Sequence, residues 1–264
     1  MLFDSHAHIN SDEFDENRGS LIETIEKGNL SYVMDIGFDL ESSVMAVKHA
    51  EAYPWCYAAV GCHPHDTKTM DEATLMLLKG LAKEPKVRAI GEMGLDYYYD
   101  HSDRDVQQYW FRRQIQLAVE LSMPMVIHDR DAHEDVLTIL REEGAFTKKR
   151  LEEHDGDAKV LIHCFSGSAE LARQYVKLGA TLSIAGPVTY KNGRKLVEVV
   201  QTISLEHLLI ETDSPYLAPE PFRGKTNMPT FVEYTAKKVA EIKGIPFEEV
   251  ARVTCENAKK FFGI

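Results

Sequence analysis

The 264-residue chain has no run of eighteen or more apolar residues, so no helix is long and apolar enough to span a membrane. Its first stretch, MLFDSHAHINSDEFDENR, lacks both a basic segment and an apolar one, and it does not read as a secretion signal. Cysteine is scarce. Cys56, Cys62, Cys164 and Cys255 are scattered without CxxC or zinc-ribbon spacing, which predicts free thiols, a reducing compartment and a cytoplasmic location. No linker rich in Gly, Ser or Pro divides the chain, and it carries neither an internal repeat nor a low-complexity tract. Positive charge is in deficit, with 30 Lys+Arg against 42 Asp+Glu and a net charge of −12. A surface of that sign argues against broad, sequence-independent wrapping of nucleic acid. It leaves room for a local cationic site, above all one built from metal ions. At 44% hydrophobic and 27% charged, the composition is that of a globular protein and excludes disorder or a coiled coil.

What is present is a regular alternation. Short apolar runs start the segments at 1–3, 32–34, 57–60, 87–90, 125–127, 160–162, 180–184 and 207–210. Runs this short and this apolar suit strands buried on both faces of a parallel sheet. Between them lie helical stretches at 40–52, 71–83, 105–121, 132–143, 169–178 and 194–203. Strand–helix alternation predicts βαβ units, and eight of them predict a TIM-type (β/α)8 barrel in the α/β class. Single barrels of this kind run to about 250 residues, so residues 1–264 are expected to form one domain. The polar, charge-rich stretch 144–159 reads as a solvated excursion before the sixth strand. After the eighth, PYLAPEP at 215–221 reads as a rigid loop leading to two or three closing helices.

The positions of the ionisable residues are more informative than their number. Asp4, His6 and His8 alternate along the first strand, which points them to one face. The fourth run ends in Gly91-Glu92, the fifth in Ile127-His128, the sixth in Ile162-His163 and the eighth in Ile210-Glu211-Thr212-Asp213. Five of eight strands thus deliver a metal-capable side chain at or near the carboxyl end, where barrel enzymes place their chemistry. A lone histidine after an apolar run is ordinarily a hydrogen-bonded core residue. That reading weakens when His6, His8, His128 and His163 meet one rim with Glu92 and Asp213. Imidazoles and carboxylates crowded together without a cation carry heavy desolvation costs, and a divalent ion removes the difficulty. Hydrolytic sites use such mixed donors, and paired ions about 3.5–4 Å apart need a bridging carboxylate.

At these residues the chain resembles the TatD-family metal-dependent deoxyribonucleases, within the wider amidohydrolase-like barrel superfamily. The likeness covers essentially the whole length: FDSHAH at 3–8, GCHPH at 61–65, AIGEMGLDYY at 89–98, IHDRDA at 127–132, IHCFSGS at 162–168, AGPVTYKN at 185–192, ETDSPYLAP at 211–219, FRGKTNMP at 222–229 and ENAKKFF at 256–262. Arg130 stands where many relatives have Ser before the Arg, and Tyr190 where Phe is common. The resemblance implies two divalent cations (Zn, Mn, Co or Mg), with His6, His8, Glu92 and Asp213 on one and Glu92, His128 and His163 on the other. Glu92 would be the bridge, and Asp213 would also orient the nucleophilic water and act as its general base.

The expected reaction is hydrolysis of DNA phosphodiester bonds, with DNA as the partner and no obligate protein partner evident. The alternative keeps the metals and changes the bond to an amide, ester or lactone, including deacylation of aminoacyl-tRNA. Glu92, rather than a lysine, at the bridging place favours the carboxylate-bridged branch without fixing the scissile bond. A third reading, a noncatalytic sugar- or nucleotide-binding barrel, predicts an incomplete ligand set, whereas all six are present. Arg130, Arg223 and Lys225 are candidates for a phosphate clamp. His63 and His65 are expected to contact substrate or support the ligands. Tyr97, Tyr98 and Tyr99 either stack a base or pack against the neighbouring loop. Asp4 either backs the ligands or packs inside the barrel, and Asn257 reads as a helix-start or packing residue. Cys62 and Cys164 adjoin these groups, but thiol catalysis needs a paired base and the histidines are already engaged.

Overall fold

The computed structural model describes all 264 residues. Its eight parallel strands are β1 (Leu2–Ala7), β2 (Leu30–Ile36), β3 (Cys56–Val60), β4 (Val87–Asp96), β5 (Met125–Arg130), β6 (Val160–Ile162), β7 (Thr181–Ile184) and β8 (Leu208–Ile210). They lie side by side in sequence order. β8 meets β1 through one parallel bridge, Ala7 to Ser214, where the Asp213 amide donates to the His6 carbonyl at 2.9 Å and the His8 amide to the Ser214 carbonyl at 2.8 Å. The seam that nearly closes the barrel is therefore made by site residues themselves.

Ten helices follow in order: α1 (Arg18–Lys27), α2 (Leu40–Ala52), α3 (Glu72–Leu81), α4 (Arg104–Glu120), α5 (His133–Glu142), α6 (Lys148–Glu153), α7 (Ala169–Lys177), α8 (Arg194–Thr202), α9 (Val232–Lys243) and α10 (Phe247–Phe262). Local chemistry sets several starts. Asp39 accepts from the Ser42 amide at 2.7 Å while the Ser42 hydroxyl accepts from the Asp39 amide at 2.9 Å, a reciprocal cap that satisfies donors α2 would leave bare. Inside the barrel, Phe3, Met34, Ala59, Ala89, Val126, Leu161 and Leu209 pack against Cys255, Ala258, Phe261 and Phe262 of α10. The small Ala59 and Ala89 leave room for the large rings. Lys159, just ahead of β6, donates to the Lys260 and Phe261 carbonyls, so α10 plugs the amino-terminal end and the carboxyl ends of the strands stay open. Asn257 donates to the Leu205 and Leu208 carbonyls, the packing role expected of it.

Two expectations need correction. The stretch 144–159 is no mere solvated excursion, because it folds into α6 around a buried Arg150. The Arg150 guanidinium donates to the Ala158 carbonyl at 2.7 Å and the Met123 carbonyl at 2.6 Å, supplying partners to backbone acceptors that would otherwise be stranded. The neighbouring lysines and glutamates stay on the solvent side. The strict alternation of Asp4, His6 and His8 also fails, since the register between β1 and β2 shifts between Asp4 and Ala7. Asp4 accepts from the Thr212 amide at 2.9 Å and hydroxyl at 2.6 Å. It stitches β1 to the end of β8 and does not join the histidines.

β4 continues four residues beyond the expected end at Glu92, pairing with β5 as far as Asp96 and Arg130. Gly94 permits this. Its φ is +153°, and a Cβ there would lie 1.9 Å from the His128 carbonyl oxygen. Only a residue without a side chain lets β4 run this close to the strand that carries His128.

Candidate metal centre

β1 supplies His6 and His8, whose Nε2 atoms lie 3.2 Å apart. His8 Nδ1 is 2.8 Å from the Ile36 carbonyl. A carbonyl only accepts, so Nδ1 carries a proton, and Nε2, once deprotonated, turns its lone pair to the cavity. β4 supplies Glu92, and its two oxygens face different groups. Oε2 is 3.3 Å from His6 Nε2 and 3.5 Å from His8 Nε2. Oε1 is 2.7 Å from His163 Nε2, 2.9 Å from His128 Nδ1 and 3.5 Å from His63 Nε2. Asp213, held at a left-handed φ of 58°, puts Oδ1 3.7 Å from His6 Nε2 and 3.5 Å from His8 Nε2. All six sequence-predicted ligands are brought together at the open end of the barrel.

The electrostatics follow from crowding. Burial opposes the charged form of Glu92, but His163, His63 and His6, with the hydrogen bond from His128, outweigh it and hold the carboxyl well below its usual range. Burial and the neighbouring His128 push His63 well below the ordinary imidazole value, and burial with His163 lowers His6. His8 goes the other way. Despite burial, the hydrogen bond with Asp213 and the charge of Glu92 raise it to about 8.

Whether this donor set fits a cation is answered by the orphaned atoms. His6 and His8 aim ring nitrogens at each other 3.2 Å apart. His6 Nδ1 and Glu211 Oε2 are buried with no hydrogen-bond partner. Three groups, His6–His8–Glu92, His63–Glu92–His128 and His6–His163–Glu211, each hold their donor atoms within 4.8 Å of one another. Imidazole nitrogens, once deprotonated, and ionised carboxylate oxygens converging in a buried site are the donors divalent transition metals take. The residues fit such ions.

Other placements differ from expectation. His63 stands in the cluster itself, 3.2 Å from His128 Nδ1, rather than only at its edge. His65 Nε2 is 2.9 Å from Asp96 Oδ2, which also lies 3.1 Å from His128 Nε2. Asp96 and Glu211 escaped the sequence reading. Burial opposes ionisation of Asp96, but hydrogen bonds with His128, His65 and the Tyr99 amide hold it below the carboxylate range. Glu211 is fully buried, accepts from the Cys164 amide at 2.7 Å and lies 3.4 Å from His163 Nδ1. The one available signal was its place directly after the β8 run. Above the cluster opens a cavity of about 480 Å³, the size of a small-ligand site. Phe38, Tyr99, Arg130 and Tyr216 stand on its walls. Arg223 and Lys225 are exposed and outside its lining, with Arg223 over the Tyr190 ring at 4.4 Å and Lys225 over Phe222 at 5.9 Å. Burial pushes the Cys62 and Cys164 thiols up, so neither is a thiolate nucleophile.

Known proteins resemble this chain along its whole length. The profile of the TatD related DNases matches residues 3–263. YabD of Bacillus subtilis, described as an uncharacterized metal-dependent hydrolase, is 47% identical over 264 residues and covers 100% of both chains. YcfH of Escherichia coli, described in the same words, is 34% identical over 100% of this chain and 96% of its own. Among solved structures, the E. coli TatD homologue YjjV superimposes with a TM-score of 0.89 at 25% identity, over 100% of this chain and 98% of that one.

Proposed function

The chain belongs to the TatD related DNase family, and from that premise we propose that it is a metal-dependent hydrolase that cleaves DNA phosphodiester bonds, acting in the cytoplasm. The supporting observation is the division of Glu92: one oxygen toward His6 and His8, the other toward His163 and His128. A single carboxylate so placed would serve two cations. His6, His8 and Asp213 would hold one together with Glu92, and His128 and His163 the other, with His63 beside them. When bound, such a pair neutralises charge on phosphoryl oxygens and acidifies a water.

The remaining work falls to the chain. Asp213 has a side chain 14% exposed, against 3% for Glu92, so it is the carboxylate that reaches solvent and takes the proton from the attacking water. His65 and Asp96 fix the orientation of His128. Arg130, at the cavity wall, offers its guanidinium to a phosphate oxygen. Arg223 and Lys225, further out, meet phosphates beyond the scissile one.

The test is metal analysis of the purified protein followed by assays on single-stranded DNA, double-stranded DNA and a panel of lactones and aryl esters. About two equivalents of metal and cleavage of DNA are expected. Ester or lactone turnover with DNA left intact would overturn the nuclease assignment. Metal uptake should also tighten as pH rises toward 8, because His8, raised to about 8, must give up its proton to bind a cation. Calorimetric affinities that stay flat between pH 6 and 8 would contradict a site built on His8.

A further inference from the structure

Four tyrosines leave about half or more of their surface in water: Tyr98 at 59%, Tyr99 at 50%, Tyr109 at 51% and Tyr216 at 49%. Two of the four, Tyr99 and Tyr216, line the cavity above the cluster. Tyr216 lies at the His8 end, with ring centroids 6.3 Å apart, and Tyr99 at the His65 end, 5.5 Å away. Tyr98 touches the same wall through Arg130, whose guanidinium sits 4.4 Å over the Tyr98 ring and 5.1 Å over Tyr99.

The turn bearing these rings is fixed to the cluster. Asp96 Oδ1 accepts from the amides of Tyr98 at 3.0 Å and Tyr99 at 2.9 Å, while Oδ2 lies against His65 and His128. One buried carboxylate therefore sets both the imidazoles and the rings. Tyr98 and Tyr99 meet edge to face at 4.8 Å and 89°. Tyr99 is backed by His101 in a near-parallel stack, 5.4 Å and 13°. Tyr97 is different. Its hydroxyl donates to Asp135 at 2.6 Å and accepts from Gln108 at 2.7 Å, and Arg104 covers its ring at 4.2 Å. Tyr97 is occupied by structure; Tyr98 and Tyr99, although Arg130 and His101 pack on them, keep half or more of their surface exposed.

We propose that Tyr98, Tyr99 and Arg130 form a nucleobase-binding shelf on which a base adjoining the scissile phosphate stacks. The inference rests on the nuclease reading above and names the part of the substrate that reading leaves open. Exposed aromatic rings held rigid beside a cation suit a flat π-face whatever its identity, because every base has one. A sugar or an aliphatic acyl chain offers no such face. Tyr99 and Arg130 line the same cavity as Glu92, so the shelf borders the space that would receive a nucleotide whose phosphate is at the metal cluster.

The experiment is a calorimetric titration of the metal-loaded protein with deoxyadenosine 5′-monophosphate and with its base-free counterpart, 2-deoxyribose 5-phosphate. The intact nucleotide should bind about tenfold more tightly. Tyr98→Ala/Tyr99→Ala should bring the ratio close to one, and Tyr98→Phe/Tyr99→Phe, which keeps the rings, should preserve it. Equal affinity in the unmodified protein, or a preference that survives the alanine pair, overturns the shelf. Cleavage of DNA is scored separately. A protein that cleaves DNA without the base preference refutes the shelf alone; one that prefers the nucleotide yet leaves DNA intact refutes the nuclease assignment and keeps the shelf. A protein that does neither refutes both.

Discussion

Glu92→Ala is expected to abolish metal uptake at both positions together and to lower turnover by about a thousandfold or more. The reason is geometric. Every imidazole of the cluster measured against Glu92 lies within 3.5 Å of one of its oxygens; Glu211, the other carboxylate near both His6 and His163, meets His163 at Nδ1 rather than at the Nε2 that faces Glu92. Asp213 approaches only the His6 and His8 side. Asp96 approaches His65 and the far nitrogen of His128. Thermal unfolding reports the result without any assay of turnover. A cation held at about a hundred times its dissociation constant stabilises the folded protein by about 2.7 kcal/mol per site, and that increment should vanish in the variant. Glu92→Gln, which keeps the volume, separates the loss of charge from the opening of a cavity. If either variant retained one tightly bound equivalent of metal, the single-bridge account would fail.

The barrel was legible because parallel strands covered on both faces must be written in uninterrupted apolar residues, as Val160-Leu161-Ile162 and Leu208-Leu209-Ile210 are. The six candidates were legible because each stands at or within a few residues of the point where such a run stops, and the family resemblance marked them as ligands. What escaped was chemistry shared between distant strands. Asp96 and His128 are 32 positions apart, and Glu211 and His163 are 48 apart; no local spacing marks either pair. Arg150 reads as one more charge in KKRLEE until its two backbone acceptors, Ala158 and Met123, come together around it. Asp4 shares its alternation with His6 and His8, yet the register shift beside it sends its carboxylate to Thr212. Following Asp213 in sequence does not bring Arg223 and Lys225 to the cavity wall, whereas Arg130, carried by β5, arrives there.

Asp213→Asn should lower kcat on DNA by about a hundredfold to ten-thousandfold while leaving KM and metal content much nearer those of the unaltered protein. The amide keeps the size of the side chain and an oxygen that faces His6 and His8, but it cannot take a proton from water. Glu92 cannot substitute as base, because both of its oxygens are engaged and its side chain is only 3% exposed. The contrast with Glu92 is the diagnostic. Removing the bridge should empty the site, whereas removing the base should leave it filled and idle. Metal content measured beside kcat in the two variants therefore distinguishes holding the cations from moving the proton. If Asp213→Asn lost metal as completely as it lost turnover, Asp213 would be a ligand alone, and the proton would have to leave by another group.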